Sequence, residues 1–111
     1  MMFDHRPYDE AFVQQLGQLG MDIQCPQIVE HFFYFLKPDW AELAELELRS
    51  QGYTAEVSAE SRNGAWSVVA RGQLMPRSDA ISKIRSCMEQ LAMTFGGSYD
   101  GWEFPFCKRL H

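Results

Sequence analysis

The chain has 111 residues, 46% of them hydrophobic and 14% aromatic, values of a globular single domain that exclude intrinsic disorder as its default state. Its net charge of −5, from 15 acidic and 10 basic residues, argues against direct RNA or DNA binding, because phosphate neutralisation needs a basic patch and these Lys and Arg residues are dispersed. No apolar run approaches a membrane span, and the first ten residues lack the basic-then-apolar layout of a secretory signal.

The opening segment, Asp9 to Gly20, places Phe12, Val13, Leu16 and Leu19 at helical spacing and stops at glycine, which predicts a short amphipathic helix. After a connector containing Pro26, residues 28–36 are too short and too aromatic for a helix between proline-marked ends. With apolar side chains on both sides of the two-residue repeat, they predict a central strand at least partly covered on both faces. Asp39 and Glu42 resemble a capping box. They open a helix over 39–51 whose expected buried stripe is Trp40, Leu43, Ala44, Leu46 and Leu48, with Gly52 as its left-handed stop.

Tyr53 to Glu60 alternates cleanly: Tyr53, Ala55, Val57 and Ala59 on one side, Thr54, Glu56, Ser58 and Glu60 on the other. Asn63-Gly64 is a strong type I′ hairpin signal. The returning strand puts Trp66, Val68, Ala70 and Leu74 inward. Pro76 ends it, and Ser78 is read as the N-cap of a long helix with Ile81, Ile84, Met88, Leu91, Ala92 and Phe95 on its buried face. Gly96-Gly97 stops that helix. A last strand, from Ser98 to about Lys108, is expected to carry Trp102, Phe104 and Phe106 on one face and Tyr99 and Glu103 on the other. Pro105 places it at a sheet edge.

The fold class is therefore α+β: a ferredoxin-like βαββαβ sandwich, with a four-stranded antiparallel or mixed sheet and two helices on one face, preceded by a short N-terminal helix. Strands one and three are expected to be central and parallel neighbours. Residues 1–111 are read as one domain, with the helix over 9–20 and the ferredoxin-like core over 28–108.

No catalytic chemistry emerges. There is no Gly-rich phosphate loop, GxSxG elbow or HExxH pattern, and Gly96-Gly97 ends a helix rather than opening one. His5, His31 and His111 lie too far apart to suggest a metal site. Cys25, Cys87 and Cys107 form no CxxC pair, and their odd, scattered set suits a reducing cytoplasm, where buried or half-buried small hydrophobes are the expectation. Glu30 and His31 are strand neighbours pointing to opposite faces, so they cannot act as a local acid–base pair. A Cys107 nucleophile served by His31 would lack an orienting third group. No catalytic residue, metal ligand or cofactor is assigned.

The candidates are for recognition. Asp100-Gly101 signals a bulge. It locks Trp102 into the core, or makes a recognition edge in which Tyr99, Asp100 and Glu103 face a partner with Trp102 beside them, and the two readings are compatible. The outward row holding Glu56 and Glu60 is where a basic peptide could dock, and Glu30 and His31 join as weaker candidates.

These residues resemble a known family. The Val29–Phe35 strand, the helix from Ala41 and Leu43 to Gly52-Tyr53, and above all the run from Gly96 to Glu103 are similar to the regulator of ribonuclease activity B family, also described as ribonuclease E inhibitor B. The similarity covers about residues 9–106. It implies a ferredoxin-like fold, a bacterial cytoplasmic setting and inhibition of ribonuclease E by contact with the enzyme rather than with RNA. Tyr99, Asp100, Gly101, Trp102 and Glu103 match its signature, and the family lends no catalytic residues. Well-known members carry a longer acidic tail, where this chain has Cys107 to His111, so the resemblance does not extend to a tail.

The expected function is a protein-binding regulator whose partner is ribonuclease E or another basic RNA-processing protein, with no nucleic acid or membrane contact. The alternative is a small-molecule-sensing ferredoxin-like domain, expected to be a dimer with a pocket between helix and sheet edge.

Overall fold

The computed structural model describes residues 6–59 and 64–105. In chain order the elements are α1 (Arg6–Gln18), β1 (Gln27–Phe35), α2 (Pro38–Ser50), β2 (Thr54–Ala59), β3 (Trp66–Leu74), α3 (Ser78–Thr94) and β4 (Ser98–Glu103). The four strands form one sheet in the order β2-β3-β1-β4, and every adjacent pair is antiparallel. β1 and β3 are indeed central neighbours, but they are not parallel. The α2 crossover returns the chain parallel to β1 one position away, and the following hairpin reverses it into the gap, so β3 must oppose β1.

The long hydrophobic run of β1 divides by the two-residue repeat of a strand. Val29, His31, Phe33 and Phe35 are each at most 1% exposed and face the helices. Glu30, Phe32 and Tyr34 face the other way. Against the first set, α2 buries Ala41, Ala44 and Leu48, while α3 buries Met88, Leu91 and Ala92, with Ala55, Val68 and Ala70 completing this cluster from β2 and β3. A second cluster joins Leu16 of α1 to Met21, Val29, Ile81 and Phe104. Each large apolar side chain so buried contributes about 1.5–3 kcal/mol relative to exposure.

The helix ends show where sequence signals were displaced. α2 begins one residue early, with Pro38 in its first turn and Lys37 as the N-cap, and no side chain caps it. Pro38 has no N–H to satisfy and a φ already suited to the first helical position, so the Asp39–Glu42 box is not needed. α3 likewise starts at Ser78 itself, with Arg77 at the N-cap. At the other end of α2, Gly52 at φ 97° lets its N–H donate to the Arg49 carbonyl and that of Tyr53 donate to Leu48, the Schellman pattern that satisfies the last free carbonyls. The N–H groups of Gly20 and Met21, and of Gly96 and Gly97, repeat it after α1 and α3.

Two helix faces differ from the expectation. Leu43 and Leu46 are 51% and 62% exposed, because Ala41, Ala44 and Leu48 alone complete the three-to-four-residue spacing of the packed stripe. Leu19 lies beyond the last turn of α1 and is exposed, whereas Leu16 is buried. Cys25 and Cys87 are exposed rather than buried, the Cys25 thiol donating to Asp22 at 3.2 Å. The Asn63 half of the hairpin signal lies outside the described residues, and Gly64 has φ 69°.

Candidate functional site

The motif around Asp100-Gly101 folds as a bulge. Phe32 pairs with Gly101 and the next residue, Phe33, pairs with Tyr99, so two residues of β4 span one step of β1 and Asp100 is the extra one. Gly101 adopts φ 115°, a backbone region that residues with a Cβ rarely adopt. The extra residue breaks the alternation: Tyr99 and Trp102 both turn toward the helices. Tyr99 therefore does not share a face with Glu103, as strict alternation predicted.

On the helix side, His31 is 0% exposed. Its Nδ1 lies 2.8 Å from the Tyr99 hydroxyl, while its Nε2 is buried without a hydrogen-bond partner. The Tyr53 ring meets it edge-on at 5.8 Å. Desolvation pushes the imidazole down from 6.5 to about 4 and drives the Tyr99 phenol well above its ordinary value, with smaller influences from α3, where Arg85 lowers it and Glu89 raises it. A neutral imidazole walled off from solvent is a packed core group, not an accessible base. Trp102 packs against the second cluster, with its ring 5.4 Å from that of Phe104 in a T-shaped contact. It belongs to the core side of the strand.

The opposite face of the sheet carries a different chemistry. Direct cross-strand partners share a face, so one row runs Thr54, Arg71, Glu30, Glu103 and the next runs Glu56, Val69, Phe32, Gly101. Nε and Nη2 of Arg71 both donate to Oε2 of Glu30, each at 2.6 Å. The Glu30 side chain is only 11% exposed but Arg71 is 57% exposed, so the carboxylate is set into the surface and the guanidinium lies over it. Glu30, Phe32, Thr54, Glu56, Val69 and Arg71 line a cleft of about 230 Å³. Among the described strand residues this face presents Glu30, Glu56 and Glu103 against the single cation Arg71.

Of the sequence candidates, Glu30, Glu56 and Glu103 thus gather on the open face and Asp100 is exposed at the bulge beside it. His31, Tyr99 and Trp102 lie on the helix side. Glu60 and Cys107 lie outside the described residues. Arg71, Phe32 and Val69 were not singled out; only the pairing register brings Arg71 beside Glu30, 41 positions away.

Among the described residues no group of three or more His, Cys, Asp or Glu could hold a metal ion, and no helix is long and apolar enough to cross a membrane. A family model described as regulator of ribonuclease activity B matches residues 7–104. The chain belongs to that family. None of the curated proteins matches it. The matched span of the regulator of ribonuclease activity B model contains both sheet faces and the whole bulge, so the arrangement described above lies within the family's domain.

Proposed function

We propose that this chain regulates RNA degradation by binding a ribonuclease directly, that ribonuclease E is the enzyme it contacts, and that it performs no chemistry of its own. The observation that carries this reading is the family match over residues 7–104. The net charge of −5 supports it, since an acidic surface speeds encounter with a basic partner and repels RNA. The burial of His31 also supports a non-catalytic role, because a general base must reach the proton it takes.

We read the setting as cytoplasmic and residues 1–111 as one domain. The sheet order, written from its other edge as β4-β1-β3-β2, supports the ferredoxin-like arrangement. In this proposal Glu30, Glu56, Glu103 and Asp100 meet the partner, and Tyr99, Trp102 and His31 hold the strand that presents them. The small-molecule alternative has less support: the open-face cleft of about 230 Å³ falls below the ~300–1,000 Å³ of ordinary ligand pockets, and a second pocket of about 310 Å³, lined by Tyr34, Phe35, Leu36, Gly96, Gly97 and Ser98, stands at the bottom of that range with no charged group in its lining.

The test is reconstitution. Purified chain added to purified ribonuclease E and an RNA substrate should form a complex with the enzyme and slow cleavage. No complex together with unchanged cleavage would remove ribonuclease E as the partner.

A further inference from the structure

We propose that the cleft on the open sheet face is a receptor for an arginine side chain of a basic protein segment, and that Arg71 occupies it as an internal stand-in when no partner is bound. This rests on the reading of the chain as a protein-binding regulator and names the surface and the chemistry it recognises.

Three observations converge. The first is the lining: two carboxylates, Glu30 and Glu56, flank an apolar floor made by Phe32 and Val69. A guanidinium is planar, weakly hydrated on its faces and rich in N–H donors at its rim. An aromatic floor with carboxylates at the side complements both properties, stacking the face and accepting from the rim. A lysine ammonium, a compact and strongly hydrated charge, gains less from such a floor.

The second is the exposure contrast. Glu30 is set into the sheet with its side chain 11% exposed, yet its partner Arg71 is 57% exposed. Both donors of Arg71 fall on the one oxygen Oε2, rather than on the two oxygens of a fork-to-fork pair. Arg71 therefore shows that this carboxylate accepts a guanidinium while using one side of it. Because most of Arg71 lies in solvent, displacing it exposes little apolar surface, while the largely buried Glu30 carboxylate still needs a cationic partner, which an incoming guanidinium supplies.

The third is charge. With Glu56 in the next row, the lining of the cleft holds two carboxylates against the single guanidinium of Arg71, and Glu103 lies directly across from Glu30. A segment carrying one arginine in the cleft and further basic residues alongside would find complementary charge on both sides of it. This excludes RNA as the occupant, since phosphates would meet the same carboxylates.

The experiment uses the full chain and three fluorescent peptides: a short arginine-rich peptide, its lysine counterpart and its citrulline counterpart, which keeps the shape of arginine without the charge. Anisotropy should rank them arginine, lysine, citrulline, with the arginine peptide about tenfold tighter than the lysine one. Glu56→Gln, an exposed change that leaves the core untouched, should weaken the arginine peptide several-fold. Glu30→Gln should weaken it about tenfold or more. Arg71→Ala should tighten it, because the internal competitor is gone. Glu42→Gln, on the exposed side of α2, should change nothing.

Equal binding of arginine and lysine peptides, or indifference to Glu56→Gln and Arg71→Ala, overturns the receptor. The same variants assayed against ribonuclease E separate the two proposals. Wild-type binding that Glu56→Gln and Arg71→Ala leave unaltered overturns the cleft and leaves the regulator standing. Arginine-peptide binding with no ribonuclease E binding sustains the cleft and removes that enzyme as the partner.

Discussion

Lowering the pH should destabilise this chain through His31. The imidazole is fully buried and held to about 4, against 6.5 when solvated, so between those two values the unfolded chain binds a proton that the folded chain refuses. Stability then rises with pH across that window. It is fully present above about pH 6.5 and is lost progressively as the pH falls toward 4. The gap between 6.5 and about 4, at ~1.4 kcal/mol per pH unit, amounts to about 3 kcal/mol. That is a large share of the ~5–15 kcal/mol that holds a small domain. The groups nearest the ring are Tyr99 and Tyr53, both neutral throughout the window, so neither offsets the charge that His31 would gain. Urea denaturation at a series of pH values, followed by circular dichroism, reads the effect. His31→Leu, close to histidine in volume, removes the titration. It costs stability at every pH by leaving the Tyr99 hydroxyl without its imidazole partner, but it should flatten the fall between pH 6.5 and 4. Equal falls in wild type and variant would refute the reasoning and assign the acid sensitivity to other groups.

Other perturbations test the packing that aims the open face. Gly101→Ala meets nothing within 4 Å but must hold φ 115°, so it should cost about 1–3 kcal/mol through backbone strain alone, measured as a shift in urea midpoint. Gly72→Ala would put a Cβ 2.6 Å from the Tyr53 ring. It should destabilise by about 1–3 kcal/mol, and the loss should shrink when Tyr53→Ala is added, as a double-mutant cycle would show. Phe33→Ala, at 0% exposure in the middle of β1, should cost about 3–5 kcal/mol by thermal or chemical melts.

Much of the architecture was legible because local signals agreed. The alternation of residues 53–60, the glycines after each helix and the apolar run of β1 each point to one element, and the strand order follows from short connections between them. The direction of β3 relative to β1 was misread, because adjacency and polarity were considered separately; one crossover plus one hairpin determines both. The face assignment of Tyr99 failed for a subtler reason. Asp100-Gly101 was recognised as a bulge signal, yet a bulge shifts every residue on one side of it to the other face, and strict alternation was still applied through it. Leu43 and Leu46 carry no sequence mark separating them from Leu48; only the packing of α2 on the sheet does. The Glu30–Arg71 pair was invisible for the plainest reason, since a cross-strand contact between residues far apart in the chain exists only once the register is known.

The central claim is that a partner lands on the face of the sheet turned away from the helices. Amide hydrogen exchange on the full chain, alone and with ribonuclease E, examines this without any substitution. The account predicts slowed exchange along β2 and β4, the two edge strands that border that face, with α2 and α3 unchanged. Protection confined to α2 and α3, with both edge strands exchanging as in the free chain, would contradict it.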